Sequence, residues 1–244
     1  MADRYLIVNG DDFGLTTGVN EGIVEAHEKG VLTSTSLMVR RPAARDAAVL
    51  AKAHPGLGIG LHVDLGEWVY EGGAWTRVEE VVSDEDRESI AAEVLDQLRT
   101  FRRLLDRDPT HLDSHQHVHR DEPTRGILTD LAARLGIPLR GYTPGVSHCG
   151  AFYGQTGIGE PLPELIGVEN LVRILEGLPA GVTELGCHPG NGHDPSLAYG
   201  PERSREVRTL CDPRVAEAIR TLGLELRSFA DVDWRGPEQP QFNP

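Results

Sequence analysis

Short apolar runs alternate with amphipathic stretches along this chain, and most of the apolar runs end on polar residues rich in Asp and His. That alternation predicts a parallel β/α protein. Strands are expected over Tyr5–Asn9, Ser34–Val39, Gly58–Val63, His111–Ser114, Pro138–Gly141, Val182–Cys187 and Glu225–Phe229. Helices are expected between them. Thr17 caps one running to Lys29, with Val19, Ile23, Val24 and Ala26 as its apolar stripe and Gly30 at its end. Ala43–Ala53 stops before Pro55 and Gly56. The longest, Glu85–Leu105, is capped by Ser83 or Asp84 and carries Ile90, Val94, Leu98, Phe101 and Leu105 at spacings of three and four. Pro123–Leu135, Val168–Gly177, Arg203–Leu210 and Pro213–Leu222 complete the set.

Three stretches read as loops: 66–82, with Trp68, Tyr70 and Trp75 among glycines and acidic residues; 142–167; and 189–201. Aromatic residues on the first suit sugar stacking or a small anchoring cluster. The tail from Trp234 holds three prolines and is expected to trail over the surface. Seven strands with intervening helices predict a distorted seven-stranded (β/α) barrel in one domain over 1–244, with its core at about 5–230. An open doubly wound sheet is the alternative. Both place a site at the C-terminal strand ends, where the Asp and His residues fall.

Composition narrows the function. The 244 residues carry a net charge of −14, which argues against nucleic acid or an anionic membrane as partner. No apolar run approaches the roughly 20 residues of a membrane helix, and the N-terminus lacks a signal-peptide core. Cys149, Cys187 and Cys211 are too few and scattered for a disulfide framework, so a reducing, cytoplasmic location is expected. Cys187, beside His188, reads as a small residue packed in a strand.

The candidate chemistry lies in Asp11, Asp12, His62, His115, His117, His119 and His188. Asp11 and Asp12 stand side by side at a strand end, where their repulsion needs a cation or a shared proton. Imidazole with carboxylate suits zinc, manganese, iron or cobalt; magnesium prefers oxygen. If His111–His119 is extended, His111, Asp113, His115, His117 and His119 share one face and cannot all ligate one ion. One carboxylate is then free to bind the metal while the other takes a proton from water, with His188 placed to protonate a leaving group. No nucleophile elbow, Lys-Ser/Thr phosphate loop or dinucleotide fingerprint is present.

Ile7–Leu15 (IVNGDDFGL), Leu32–Ser36, Gly60–His62, Thr110–His119 (THLDSHQHVH), Ala151–Gly154 and Cys187–Pro189 together resemble the YdjC-like carbohydrate deacetylases, in family order over residues 5 to 230. The resemblance implies a polysaccharide-deacetylase-like barrel and a divalent metal, Mg2+ or Zn2+, held by Asp12, His62 and His115. It implies Asp11 as general base, His188 as candidate acid, and Phe13, His117 and Tyr153 as substrate-binding positions. The implied reaction removes acetyl from an N-acetylated sugar of the N-acetylglucosamine or chitooligosaccharide type. The rivals are a sugar-binding or regulatory protein without turnover, and a metal-dependent hydrolase of another bond. A small carbohydrate is the expected partner, and a homodimer is the assembly entertained. The family pattern is departed from mainly in 67–82 and 146–165, which leaves the sugar open.

Overall fold

The computed structural model describes residues 3–192, 197, 199–233 and 241–242. In chain order the elements are β1 (Arg4–Phe13), α1 (Thr17–Lys29), β2 (Ser34–Leu37), α2 (Ala44–Ala53), β3 (Gly58–Val63), β4 (Gly66–Glu71), β5 (Ala74–Glu80), α3 (Arg87–Leu105) and β6 (Leu112–Ser114). After a 3-10 segment over His115–Arg120 come α4 (Thr124–Leu135), β7 (Val146–Cys149), α5 (Val168–Glu176), β8 (Gly181–Cys187), α6 (Pro201–Leu210), α7 (Pro213–Thr221) and β9 (Glu225–Leu226). Two short strands, β10 (Val232–Asp233) and β11 (Gln241–Phe242), pair antiparallel. The three prolines of the tail lie outside the described residues.

The main sheet runs β6-β3-β2-β1-β8-β7, every pair parallel. β9 pairs with Tyr5 and Leu6 of β1. β2 takes over from Asn9, so both strands share one edge of β1 in succession. With helices outside, this is a distorted (β/α) barrel. Helix starts follow local capping: Thr16, not Thr17, accepts from Val19 N (3.2 Å) at α1, and Asp86 accepts from Glu88 and Ser89 N at α3.

Four expectations need correction. The 66–82 stretch is a β-hairpin, β4 pairing β5 from Gly66↔Glu80 to Glu71↔Ala74; Gly72 and Gly73, both at positive φ, make its turn. The 142–167 stretch contains β7, which pairs with β8. Pro138–Gly141 contributes only a bridge, Leu139 to Leu112, rather than a strand. Finally, the extended chain through His119 breaks at Ser114, because Gln116 and His117 turn left-handed (φ 48° and 56°).

Side-chain alternation sorts the barrel. Outward residues of β1 and β3 (Leu6, Val8, Ile59, Leu61) join Ile23, Ala47, Phe101 and Leu131 of the helices in one buried cluster. Ile7 instead packs with Val182, Phe229 and Val232 in a separate small cluster. Two residues further along β1 the same face turns polar: Asn9 donates to Asp11 (2.9 Å) and Ser36 (3.3 Å). His111 stacks on Phe229 (3.9 Å between centroids) beneath Gly60, where any Cβ would lie 2.4 Å from the imidazole.

The segment after β8 is seated against α1 through two glycines. Asn191 N donates to Gly18 O (2.7 Å), and a Cβ on Gly22 would stand 2.4 Å from Gly190 Cα. In a free helix Gly→Ala stabilises by about 1 kcal/mol. Here Gly22→Ala is expected to destabilise by about 1–3 kcal/mol through overpacking, read by urea unfolding.

Candidate metal centre

The C-terminal ends of β1, β2, β3 and β6 bring Asp11, Asp12, Ser36, His62 and Asp113 together, with His115 just beyond β6; of these, Asp11, Asp12, His62 and His115 line an open cleft of ≈ 1700 Å³. Asp12 occupies the left-handed region (φ 70°), which breaks the strand alternation. Its Oδ1 faces His62 Nε2 at 3.3 Å and His115 Nδ1 at 3.2 Å, and its Oδ2 accepts from Arg203 Nη2 at 2.6 Å.

Each imidazole has its other nitrogen engaged by a second carboxylate. His62 Nδ1 donates to Asp113 Oδ1 (2.8 Å), and Ser36 Oγ donates to the other oxygen of Asp113 (2.7 Å). His115 Nε2 donates to Glu67 Oε2 (2.8 Å). The other nitrogen of each ring is turned on Asp12, to which it donates when protonated; beside a bound cation that nitrogen would offer its lone pair, the usual arrangement of a metal-ligating histidine. Donor atoms of Asp12, His62 and His115 lie within 4.8 Å of one another. Asp11, His62 and Asp113 form a second such group, but the Arg140 guanidinium fills that space.

Arg140 grips three carboxylates. It donates to both oxygens of Asp11 (2.6 and 2.7 Å), lies 2.9 Å from Asp113, and donates to Glu184 through Nε (2.8 Å). Burial would raise the Asp11 carboxyl, but Arg140 outweighs it and holds Asp11 well below the usual range. Asp12, Asp113 and Glu184 are held low in the same way by Arg203 or Arg140. Four buried carboxylates thus face two guanidinium groups, two positive charges short of balance. The imidazoles register that deficit. Burial would lower His62, yet Asp113 and Asp12 raise it well above the ordinary value. His115 rises to about 9 through its bonds to Asp12 and Glu67. This donor set fits a divalent cation, which would supply the missing charge.

His188 sits at the edge of the cradle, its Nε2 3.8 Å from Asp11 Oδ2. Burial pushes it down to about 4, so it is neutral near pH 7. Its backbone N–H donates to Glu206 Oε2 (2.5 Å), and burial raises Glu206 to about 8. Tyr199 donates to the other oxygen of Glu206, accepts from Gly154 N (2.9 Å) and stacks on Tyr153 (4.7 Å). Tyr153 lies edge-on to His188 (5.3 Å).

Of the substrate positions expected from sequence, Tyr153 and His117 line the cleft. Phe13 does not; it is fully buried in the apolar cluster behind β1. His119 is bound to Ser114 Oγ (2.6 Å) outside the cradle, and Cys187 is buried with its Sγ against Asn9 O (3.2 Å). The residues that sequence reasoning missed are Arg140, Arg203, Glu184, Glu206 and Glu67. Glu184 inside the apolar run Val182–Cys187 was a legible signal, because a lone charge in a buried strand needs a partner.

A family model described as YdjC-like protein matches residues 5–221. A carbohydrate deacetylase of Geobacillus stearothermophilus is 34% identical over 93% of this chain and 98% of its own. A chitooligosaccharide deacetylase of Serratia marcescens is 33% identical over 94% of this chain and 100% of its own. Among solved structures, a proposed cellobiose-phosphate cleavage protein of Enterococcus faecalis superposes with a TM-score of 0.77 at 26% identity, covering 94% of this chain and 98% of that one. At 11% identity and a TM-score of 0.54, a family 4 carbohydrate esterase of Streptomyces lividans, covered over 93% of each chain, shares the fold.

A raised pKa makes the histidines' contribution pH-dependent. His115 stabilises the metal-free protein fully below 6.5, and that contribution is lost as pH rises through about 9. The thermal midpoint of the metal-free protein is therefore expected to fall across that window, and His115→Gln to flatten the fall. Differential scanning calorimetry at fixed ionic strength checks this.

Proposed function

The chain belongs to the YdjC-like family, and from that membership we propose a metal-dependent hydrolase that removes the acetyl group from N-acetylated amino sugars or their oligosaccharides. The observation that carries the reading is the cradle of Asp12, His62 and His115 with its two-charge deficit. These three residues would hold the cation, and two imidazoles among three donors favour an ion of the zinc type over magnesium. When bound, such an ion supplies Lewis acidity towards an amide carbonyl and lowers the pKa of water.

The chain's own groups then manage the proton. Asp11, kept ionised and oriented by Arg140, is the acceptor for the proton of the attacking water. A carboxylate so well paired is a weak base, but Asp113 and Glu184 draw on the same guanidinium and limit the loss. His188, neutral at rest, starts without a proton to spare. It becomes a donor by taking the proton that Asp11 has accepted, 3.8 Å away, and hands it to the departing amine. Tyr153 and His117 line the cleft and are the proposed sugar contacts.

Two further points belong to this reading. Cys149, Cys187 and Cys211 are all free, which supports a cytoplasmic site of action. Among the described residues, no helix is long and apolar enough to cross a membrane.

Acetate release from a panel of N-acetylated mono- and oligosaccharides, with different divalent metals added, tests the activity. Asp11→Asn is expected to keep its metal, by elemental analysis, and to lose about 10²–10⁴-fold in turnover. Undiminished turnover by that variant removes Asp11 as the base.

A further inference from the structure

The β4–β5 hairpin touches the metal cradle at one point and the cleft wall along its length. Trp68, Tyr70 and Trp75 all line the cleft. Trp68 pairs across the hairpin with Arg77, and Tyr70 with Trp75. Arg77 lies over the Trp68 ring (4.8 Å), and Tyr70 meets Trp75 edge-on (5.6 Å). Trp75 remains 55% exposed.

The base of the hairpin is clamped from two sides. From the barrel, Arg41 donates to Glu79 (2.7 Å) and lies 3.7 Å from Glu67, so one guanidinium reaches both strands. From the cradle, the Gln116 amide accepts from Trp68 N (2.9 Å) and donates to Trp68 O (2.8 Å), as another strand would. It also donates to Glu67 Oε1 (3.1 Å). Gln116 and His117 hold left-handed backbone here, a strained conformation that persists only where neighbours enforce it. Glu67 Oε2 accepts from His115 Nε2, which keeps a proton there and makes Nδ1, 3.2 Å from Asp12 Oδ1, the nitrogen turned towards the cradle.

We propose that Glu67 is the positioning residue of His115 and that, with Gln116, it couples the aromatic hairpin to the cradle. Occupancy of the cradle then steadies the hairpin, and a sugar seated on Trp68, Tyr70 or Trp75 tightens the hold on the cation by the same factor. The sugar half of this coupling rests on the deacetylase reading; the cation half does not.

The test uses Zn2+ alone, without sugar. By titration calorimetry, Glu67→Ala is expected to bind Zn2+ about ten-fold or more weakly than the parent, and Gln116→Ala less tightly than the parent. Glu67→Gln, which keeps an acceptor oxygen for Nε2–H, is expected to stay close to the parent. Of the three tryptophans, Trp68 and Trp75 lie on the hairpin. In a Trp234→Phe background their emission is expected to shift on adding Zn2+, and that shift to vanish in Glu67→Ala and in Gln116→Ala. Parental Zn2+ affinity in both alanine variants, or a tryptophan response that survives in both, overturns the coupling. A chain that releases acetate from no N-acetylated sugar sinks the deacetylase reading while leaving these two readouts unmoved.

Discussion

An unbalanced charge at the mouth of the barrel is the constraint from which the rest follows. Asp11, Asp12, Asp113 and Glu184 are each almost wholly buried. A buried carboxylate is tolerable only when paired and hydrogen-bonded. Two arginines supply half of what is needed. Arg140 spends its fork on three carboxylates at once, and Arg203 reaches only one oxygen of Asp12. The remaining oxygen of Asp12 faces two imidazole nitrogens, a geometry that repels unless a cation or protons stand between. The fold therefore holds a built-in demand for positive charge, sized to a divalent ion and located where the cleft is open.

Strand parity explains how one chain meets that demand. Because side chains alternate, the inner face of β1 passes from Ile7 through Asn9 to Asp11, and that of β8 from Val182 to Glu184. The apolar residues plug the barrel low down, and the charges follow two and four positions later. That rhythm was legible from sequence, as were the strand ends carrying Asp11, Asp12, His62 and His115. The helices were legible too, to within a residue or two, because their stripes and caps are local.

What sequence reasoning lost was non-local. Arg140 and Arg203 are ordinary surface-type residues until tertiary pairing with Asp11 and Asp12 gives them a reason to be inside. β7 is a strand only because β8 lies beside it; its own residues, Val146–Cys149, have no alternation. The hairpin hid among glycines and acidic residues that read as loop, although Gly72-Gly73 between two runs was a turn signal. The His111–His119 run failed for another reason. The strand geometry assumed for it ends at Ser114, and left-handed Gln116 and His117 send successive imidazoles to different places. His111 goes to the barrel floor and His115 to the cradle, while His119 is bound to Ser114.

The left-handed backbone of Asp12 has a consequence for how this lineage can drift. Asn and Asp pay less for that conformation than most residues with a side chain, so Glu, the obvious conservative exchange, adds backbone strain to its extra length. The accessible neighbour is Asn, which would keep the fold and the hydrogen-bond reach while discarding the charge. A descendant that loses its chemistry by that route would remain well folded and would still present the same cleft to a sugar, so the scaffold is predisposed to yield inactive binders rather than unfolded relics.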